Sequence, residues 1–180
     1  KMLPATVAVV TNIDPEHMEH YGSFENVRAA YVNFIERIPF YGFAVLCLDH
    51  PVVQGIIPEI SNRQIVTYGF NKQADIRAVN IRSSAMGSLF DVEIAGGDIK
   101  ITDMFLPMMG IHNVQNVLAG LAAGLACGAS PDSMRETIAN FKAVEHRLEF
   151  VRDLDGVKFY NDSKATSVDA TLKALEALSD

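Results

Sequence analysis

Acidic side chains and a histidine follow directly after a short apolar run near the start of the chain. Val7–Val10 is predicted to be a buried strand, and Asp14, Glu16 and His17 come within seven residues of its end. In open α/β sheets, ligands bind at the edge formed by the carboxyl ends of the parallel strands. Carboxylate oxygens suit Mg²⁺, which also keeps several waters. His17 is therefore a candidate metal ligand, although a polar loop that caps the next helix explains the same residues without a metal.

A second polar block stands at the start of a predicted helix. It contains Gly110, His112, Asn113 and Asn116. The two asparagines are three residues apart, so they share one face of the helix. Carboxamides donate and accept hydrogen bonds, as reading the edge of an adenine requires. The block is a candidate base-binding site, with simple capping of the helix by Asn113 as the alternative.

A third block combines cationic and hydroxyl side chains near the end of the chain. Arg147 precedes a predicted hairpin, and Asp162, Lys164 and Thr166 occupy the loop between its second strand and a helix. Amides at a helix N-terminus, a lysine and a hydroxyl together bind anions, and an arginine can hold a phosphate or carboxylate through two hydrogen bonds. The alternative is a helix cap by Ser163 or Thr166 with surface charges around it.

The first two blocks resemble signatures of the Mur ligases, which build the peptide stem of peptidoglycan. Residues 12–19 are similar to Asn-Ile-x-x-(Asp/Glu)-His-x-(Asp/Glu), and residues 110–116 to Gly-x-His-Asn-x-x-Asn. The resemblance implies that His17 helps to hold Mg²⁺ beside ATP. It also implies that Asn113 and Asn116, together with His112, bind the adenine.

Different parts of the chain resemble different members of this family. Residues from about 5 to about 110 are most similar to the ligase that adds L-alanine, whereas residues 161–166, Asn-Asp-Ser-Lys-Ala-Thr, are similar to the ligase that adds D-glutamate. The second resemblance implies that Arg147 and Asp162 contact the nucleotide. It also implies that Lys164 acts in catalysis and that Thr166 faces the amino acid. The chain is thus expected to combine features of two related enzymes.

The resemblance implies a reaction with three substrates. ATP phosphorylates the carboxylate of a UDP-N-acetylmuramyl substrate, and the amino group of an amino acid then attacks the acyl phosphate, which yields an amide, ADP and phosphate. Two alternatives remain open. One is a noncatalytic excised or hybrid module that folds and at most binds nucleotide weakly, and the other is a related ATP-dependent ligase of folate metabolism.

A phosphate-binding loop of the form Gly-x-x-x-x-Gly-Lys-Ser/Thr does not occur in the sequence. Gly96 and Gly97 begin a segment with similar letters, but its spacing is wrong. We therefore expect the chain to be a part of a longer ligase and to be inactive alone. The expected division is a central ATP-binding-type domain over residues 1–143 and the start of a C-terminal Rossmann-like domain over residues 144–180.

Composition limits the classes of protein to which the chain could belong. The net charge of −7 argues against a nucleic-acid partner, and no stretch approaches the roughly 18 apolar residues of a membrane-spanning helix. Apolar residues make up 49% of the chain, which is enough for a proper core. With no signal-peptide pattern at the start, the sequence predicts a cytoplasmic protein without membrane insertion.

Alternating elements are predicted to position the three blocks. The fold class is α/β: a parallel sheet with flanking helices, a small antiparallel three-stranded sheet, and the truncated start of a second α/β domain. The predicted strands are 7–10, 43–48, 64–68, 75–81, 89–94, 100–106, 148–151 and 157–160. The predicted helices are 24–38, 52–57, 113–127, 131–141 and 168–178. In this arrangement His17, Asn116 and Lys164 should surround a single cleft.

Overall fold

A computed structural model of the chain describes residues 5–84, 86–95 and 100–179. The turn predicted around Gly96 and Gly97 lies outside the described residues. The strands are β1 (Val7–Val10), β2 (Phe43–Cys47), β3 (Gln64–Gly69), β4 (Ile76–Ser84), β5 (Gly87–Ile94), β6 (Lys100–Leu106), β7 (Glu149–Leu154) and β8 (Val157–Asn161). The helices are α1 (Met18–Tyr21), α2 (Phe24–Glu36), α3 (Pro51–Ile56), α4 (Ile111–Ala126), α5 (Pro131–Ala139) and α6 (Val168–Ser179), with a 3₁₀ turn at Ile57–Glu59.

The larger sheet of the described chain has its six strands in sequence order. Strands β1 to β4 run parallel to one another, and β4, β5 and β6 form antiparallel pairs. The predicted antiparallel strands are thus confirmed, and they continue the parallel sheet instead of forming a sheet of their own. Strands β3 and β4 meet through two residue pairs, Tyr68 with Ile76 and Gly69 with Arg77.

Two apolar cores lie on the two faces of this sheet. Alternate residues of β2 belong to different cores: Ala44 and Leu46 pack with α2 and α3, whereas Val45 and Cys47 pack with α4. This division follows from the period of two along a strand, which sends successive side chains to opposite faces. Leu118 of α4 is fully buried in the core that contains Val45 and Cys47, so α4 packs tightly on the sheet.

Serine side chains cap two of the helices that flank the sheet. The Ser23 hydroxyl accepts a hydrogen bond from the Asn26 N–H at 3.2 Å, and the Ser130 hydroxyl accepts one from the Ser133 N–H at 3.2 Å. Pro131 occupies the first turn of α5, where its missing N–H costs nothing. The caps fix where α2 and α5 begin.

The last part of the chain forms a separate hairpin and a helix. Strands β7 and β8 pair with each other in antiparallel fashion, and residues 141–147, which connect α5 to this hairpin, are exposed. Within the described ranges, no helix has both the length and the apolar character that a membrane span requires.

Candidate functional site

A cavity of about 940 Å³ lies between α4, α5, the exposed connection and the loop before α6. Seven of the eight side chains singled out in the sequence line it: His112, Asn113, Asn116, Arg147, Asp162, Lys164 and Thr166. The loop after β1 also reaches the cavity, through Asp14 and Glu16. The second and third blocks therefore meet in one cavity, whereas the expected cleft also included His17.

His17 is the candidate that does not line this cavity. Its side chain is 76% exposed, and its Nδ1 lies 3.7 Å from Oε1 of Glu19. The residue adopts φ 55°, a left-handed conformation, where the chain turns into α1. This turn ends the stretch of loop that faces the cavity, so that Asp14 and Glu16, and not His17, line it.

The Asp14 carboxylate, in the loop after β1, is held by neighbouring side chains. The Asn12 amide donates to Asp14, and the Thr11 hydroxyl donates to the Asn12 Oδ1 at 2.8 Å. Nε2 of His50 lies 3.4 Å from the other oxygen of Asp14. Among the described residues, no group of three or more His, Cys, Asp or Glu is gathered as for a metal. The loop fits Mg²⁺ if phosphate and water oxygens complete the coordination, which is the usual arrangement for this ion.

The two asparagines at the start of α4 have different surroundings. Asn113 donates its amide to the Met109 carbonyl at 2.7 Å and so braces the turn before the helix, whereas the cap position of α4 is Gly110 and no side chain caps the helix. Asn116 is exposed to the cavity, and its amide has no hydrogen-bond partner among the described residues. Gly110 makes the turn possible with φ 87°, and a Cβ there would come within 2.6 Å of the His112 ring. Asn116 therefore has both its donor and its acceptor free for a ligand.

His112 is half-buried beneath this cavity. Burial lowers the pKa of its imidazole, and the positive charge of Lys173 lowers it further, while Glu176 and Asp162 oppose the effect. A neutral imidazole offers one donor and one acceptor. At neutral pH, His112 can therefore contact a polar ligand without adding charge to the cavity.

We expect replacement of His112 by glutamine to alter the pH dependence of stability. Because the folded pKa lies below the unfolded value of about 6.5, the unfolded chain takes up a proton as pH falls below about 6.5, before the folded chain does. Wild-type stability should therefore decline over that interval, and His112→Gln should decline less. Urea unfolding at pH 8, 6.5 and 5.5 measures this. A stability difference between the two proteins that stays constant with pH would contradict the prediction.

Backbone contacts tie the third block together. Oδ1 of Asp162 accepts a hydrogen bond from the Leu148 N–H at 3.1 Å, and the Lys164 N–H donates to the His146 carbonyl at 3.2 Å. The connection that carries Arg147 is thus held against the loop that carries Lys164. Both cations line the cavity, which makes this side of it suitable for phosphate or carboxylate groups.

The cap of α6 differs from both alternatives considered for the sequence. The Ser167 hydroxyl accepts a hydrogen bond from the Ala170 N–H at 3.2 Å, so neither Ser163 nor Thr166 supplies the cap. Thr166 is exposed and lines the cavity. Its hydroxyl is consequently available to a ligand.

Sequence reasoning missed a polar contact behind the cavity. The Gln115 amide donates to Oδ2 of Asp49 at 2.7 Å, although the two residues are 66 positions apart. The available signal was the position of Asp49, which follows β2 at the same edge of the sheet as the β1 loop.

Comparison with known proteins gives the chain a family. Residues 1–124 match the Mur ligase middle domain. UDP-N-acetylmuramate--L-alanine ligase from Brucella anthropi is 49% identical over 177 residues, which covers 96% of this chain and 38% of that protein. The protein of the same name from Phenylobacterium zucineum is 48% identical over 183 residues, covering 99% of this chain. The chain spans 38% of the length of these relatives.

Solved structures share the fold at lower identity. MurF from Acinetobacter baumannii aligns with a TM-score of 0.82 at 22% identity, over 96% of this chain and 37% of that one. MurF ligase from Thermotoga maritima, solved in complex with ADP, aligns with a TM-score of 0.77 at 22% identity, over 97% of this chain and 39% of that one. These likenesses establish the α/β architecture described above.

Proposed function

This chain belongs to the Mur ligase family, and on that basis we propose that it is the nucleotide-binding part of an ATP-dependent UDP-N-acetylmuramate--L-alanine ligase. Such an enzyme joins an amino acid to a UDP-linked muramyl substrate in the synthesis of peptidoglycan precursors. The proposal includes the cytoplasmic location expected from the sequence. The observation that carries it is the single cavity in which amides, cations and carboxylates from distant segments meet.

The L-alanine type is proposed for the whole chain. Relatives of that name align over 96% and 99% of it. The residues outside these alignments are too few to account for residues 144–180, so most of that segment is aligned as well. The D-glutamate resemblance of residues 161–166 receives no support from these relatives. Assigning residues from about 5 to about 110 and residues 161–166 to the same type of ligase is the simpler interpretation.

Adenine is proposed to bind at the start of α4. Asn116 has a free donor and a free acceptor, as the edge of the base requires. Asn113 keeps its carbonyl oxygen available while its NH₂ group braces Met109, and neutral His112 lies beside them. Because burial lowers the pKa of the His112 imidazole, this side chain adds no charge of its own at neutral pH, which suits contact with an uncharged base.

Phosphates are proposed to lie toward the cationic side of the cavity. Arg147 can hold an anion through two hydrogen bonds, and Lys164 adds a second positive charge next to it. Asp162 fixes the backbone between them and contacts the nucleotide. Positioned cations stabilise the charge that develops on a transferring phosphoryl group, which is the catalytic role proposed for Lys164, with Thr166 facing the amino acid.

The β1 loop is proposed to serve the metal. Asp14 and Glu16 line the cavity, and His17 follows them at the turn into α1. The two carboxylates would hold Mg²⁺ together with phosphate and water oxygens, and His17 would join them through a change in the turn before α1. When bound, the ion would neutralise negative charge on the phosphates.

A domain boundary near residue 143 is part of the same proposal. Residues 141–147 are exposed and lack regular structure, so they can change conformation at low cost. Residues 144–180 would then be able to move relative to residues 1–143. Such rigid-body closure is a common way to bring catalytic groups onto a bound nucleotide.

Direct binding of nucleotide tests this proposal. The 180-residue chain should bind a fluorescent ADP analogue saturably, more tightly than the GDP analogue, and more tightly with Mg²⁺ than with EDTA. The alternative, a noncatalytic module that folds and at most binds nucleotide weakly, predicts at most a weak signal without a preference for ADP. Equal binding of ADP and GDP would contradict the assignment of Asn116 and Asn113 to the adenine.

A further inference from the structure

Asp49 connects three separate segments at the end of β2. Its Oδ2 accepts a hydrogen bond from the Phe70 N–H at 2.8 Å, and its Oδ1 accepts one from the Asn71 N–H at 2.9 Å. The Gln115 amide of α4 supplies a third donor at 2.7 Å. One half-buried carboxylate therefore fixes the end of β3, the loop that follows it and the first turns of α4.

The backbone of β3 is shaped around this carboxylate. Gly69 adopts φ 153°, and a Cβ at this position would overlap the Asp49 carboxylate. Only glycine lets the side chain lie across the strand in this way. The close approach is independent of the hydrogen bonds to Phe70 and Asn71 and indicates that the position of Asp49 is set by the sheet itself.

Gln115 lies on a different side of α4 from the cavity. At 3.6 residues per turn it is rotated by about 200° from Asn113 and by about 100° from Asn116. Asn113 and Asn116 line the cavity, whereas Gln115 contacts Asp49 instead. A change in the contact between Gln115 and Asp49 would therefore reach a ligand through the rotation or tilt of α4.

We propose that Asp49 is a positioning residue for the base-binding end of the cavity. By holding Gln115, it sets the rotation of α4 about its axis and hence the direction in which Asn113 and Asn116 face. The inference rests on the proposed function, because the ligand whose base they contact is taken to be an adenine nucleotide. Asp49 itself touches no ligand.

Asp75, which lies in the connection between β3 and β4, provides a matched control for Asp49. Its Oδ2 accepts hydrogen bonds from the Thr67 N–H at 2.8 Å and from the Thr67 hydroxyl at 2.7 Å. Like Asp49, it is a carboxylate that holds the end of β3. Its hydrogen bonds do not reach α4, so Asp75→Asn removes a structural contact of the same kind without the proposed link.

The experiment compares base preference among variants. In Gln115→Met the apolar side chain keeps a similar length but cannot donate to Asp49. We expect ADP affinity to fall by about threefold or more and the ratio of ADP to GDP affinity to fall with it. Asp49→Asn should give a comparable loss of preference, and the double variant should show little further loss, because both changes break one interaction. Asp75→Asn should lower the melting temperature and leave the preference unchanged.

The outcomes separate this inference from the proposed function. If the wild-type chain shows no preference for ADP, the proposed function fails and the inference fails with it. If the wild type prefers ADP and Gln115→Met keeps the same preference while losing stability, Asp49 is only structural and the inference is overturned. Should Asp49→Asn fail to fold, Gln115→Met alone decides, because that variant retains both backbone hydrogen bonds to Asp49.

Discussion

Replacing Asn116 with leucine is expected to weaken ADP binding by about tenfold or more while changing the free energy of unfolding little. The amide is exposed in the cavity and has no hydrogen-bond partner among the described residues, so the folded chain loses no contact. A bound adenine would lose a donor and an acceptor at once. Two hydrogen bonds of about 1 kcal/mol each correspond to roughly a thirtyfold change in affinity.

Asn113→Leu is the matched comparison for stability and not for affinity, because Asn113 is also proposed to face the adenine. Its amide already donates to the Met109 carbonyl at 2.7 Å, so Asn113→Leu removes a brace from the turn before α4. The expected result is a loss of stability on the order of 1 kcal/mol, the usual net contribution of one hydrogen bond, measured by urea unfolding. If Asn116→Leu destabilised the chain as much as Asn113→Leu and left ADP affinity intact, the division of roles between the two asparagines would be wrong.

Truncation of Leu118 to alanine should lower the free energy of unfolding by about 3 kcal/mol, within the range of buried leucine truncations. Leu118 is fully buried where α4 packs on the sheet. The lost methyl groups leave a space that the surrounding strands cannot close, because they are held by their ladder. Chemical unfolding of the two proteins gives the difference directly.

Leu172 of α6 receives the same change as a control. It is 50% exposed, so Leu172→Ala removes little buried area and should cost under about 1 kcal/mol. Equal losses for Leu118→Ala and Leu172→Ala would mean that α4 is not packed as tightly as its burial indicates. The pair therefore tests the core and not merely the chemistry of truncation.

Local residue types were sufficient to predict most elements. Val7–Val10 is an uninterrupted apolar run, and Lys100–Leu106 is rich in apolar residues and ends at Pro107, so their predicted bounds agree with β1 and β6. Ser23 and Ser130 mark helix starts through contacts with residues three positions away. Such information is contained in short stretches of chain and is visible before folding.

Long-range contacts account for what the sequence could not supply. The contact between Gln115 and Asp49 joins residues that are far apart along the chain, so no local pattern signals it. The position of His17 outside the cavity depends on one left-handed backbone conformation, which is uncommon for residues other than glycine and which no sequence pattern here signals. The same residues at the same spacing would be compatible with His17 inside or outside the cavity.

The narrow junction between β3 and β4 is expected to place the two parts of the sheet under different selection. Among the described residues, none of those lining the cavity comes from β4, β5 or β6, and two residue pairs join these strands to the parallel half. Substitutions on the solvent-facing side of β4, β5 and β6 can therefore accumulate during evolution without changing the cavity. Their inward-facing side remains constrained through α4, so family members should diverge here in surface and loop length sooner than in the core.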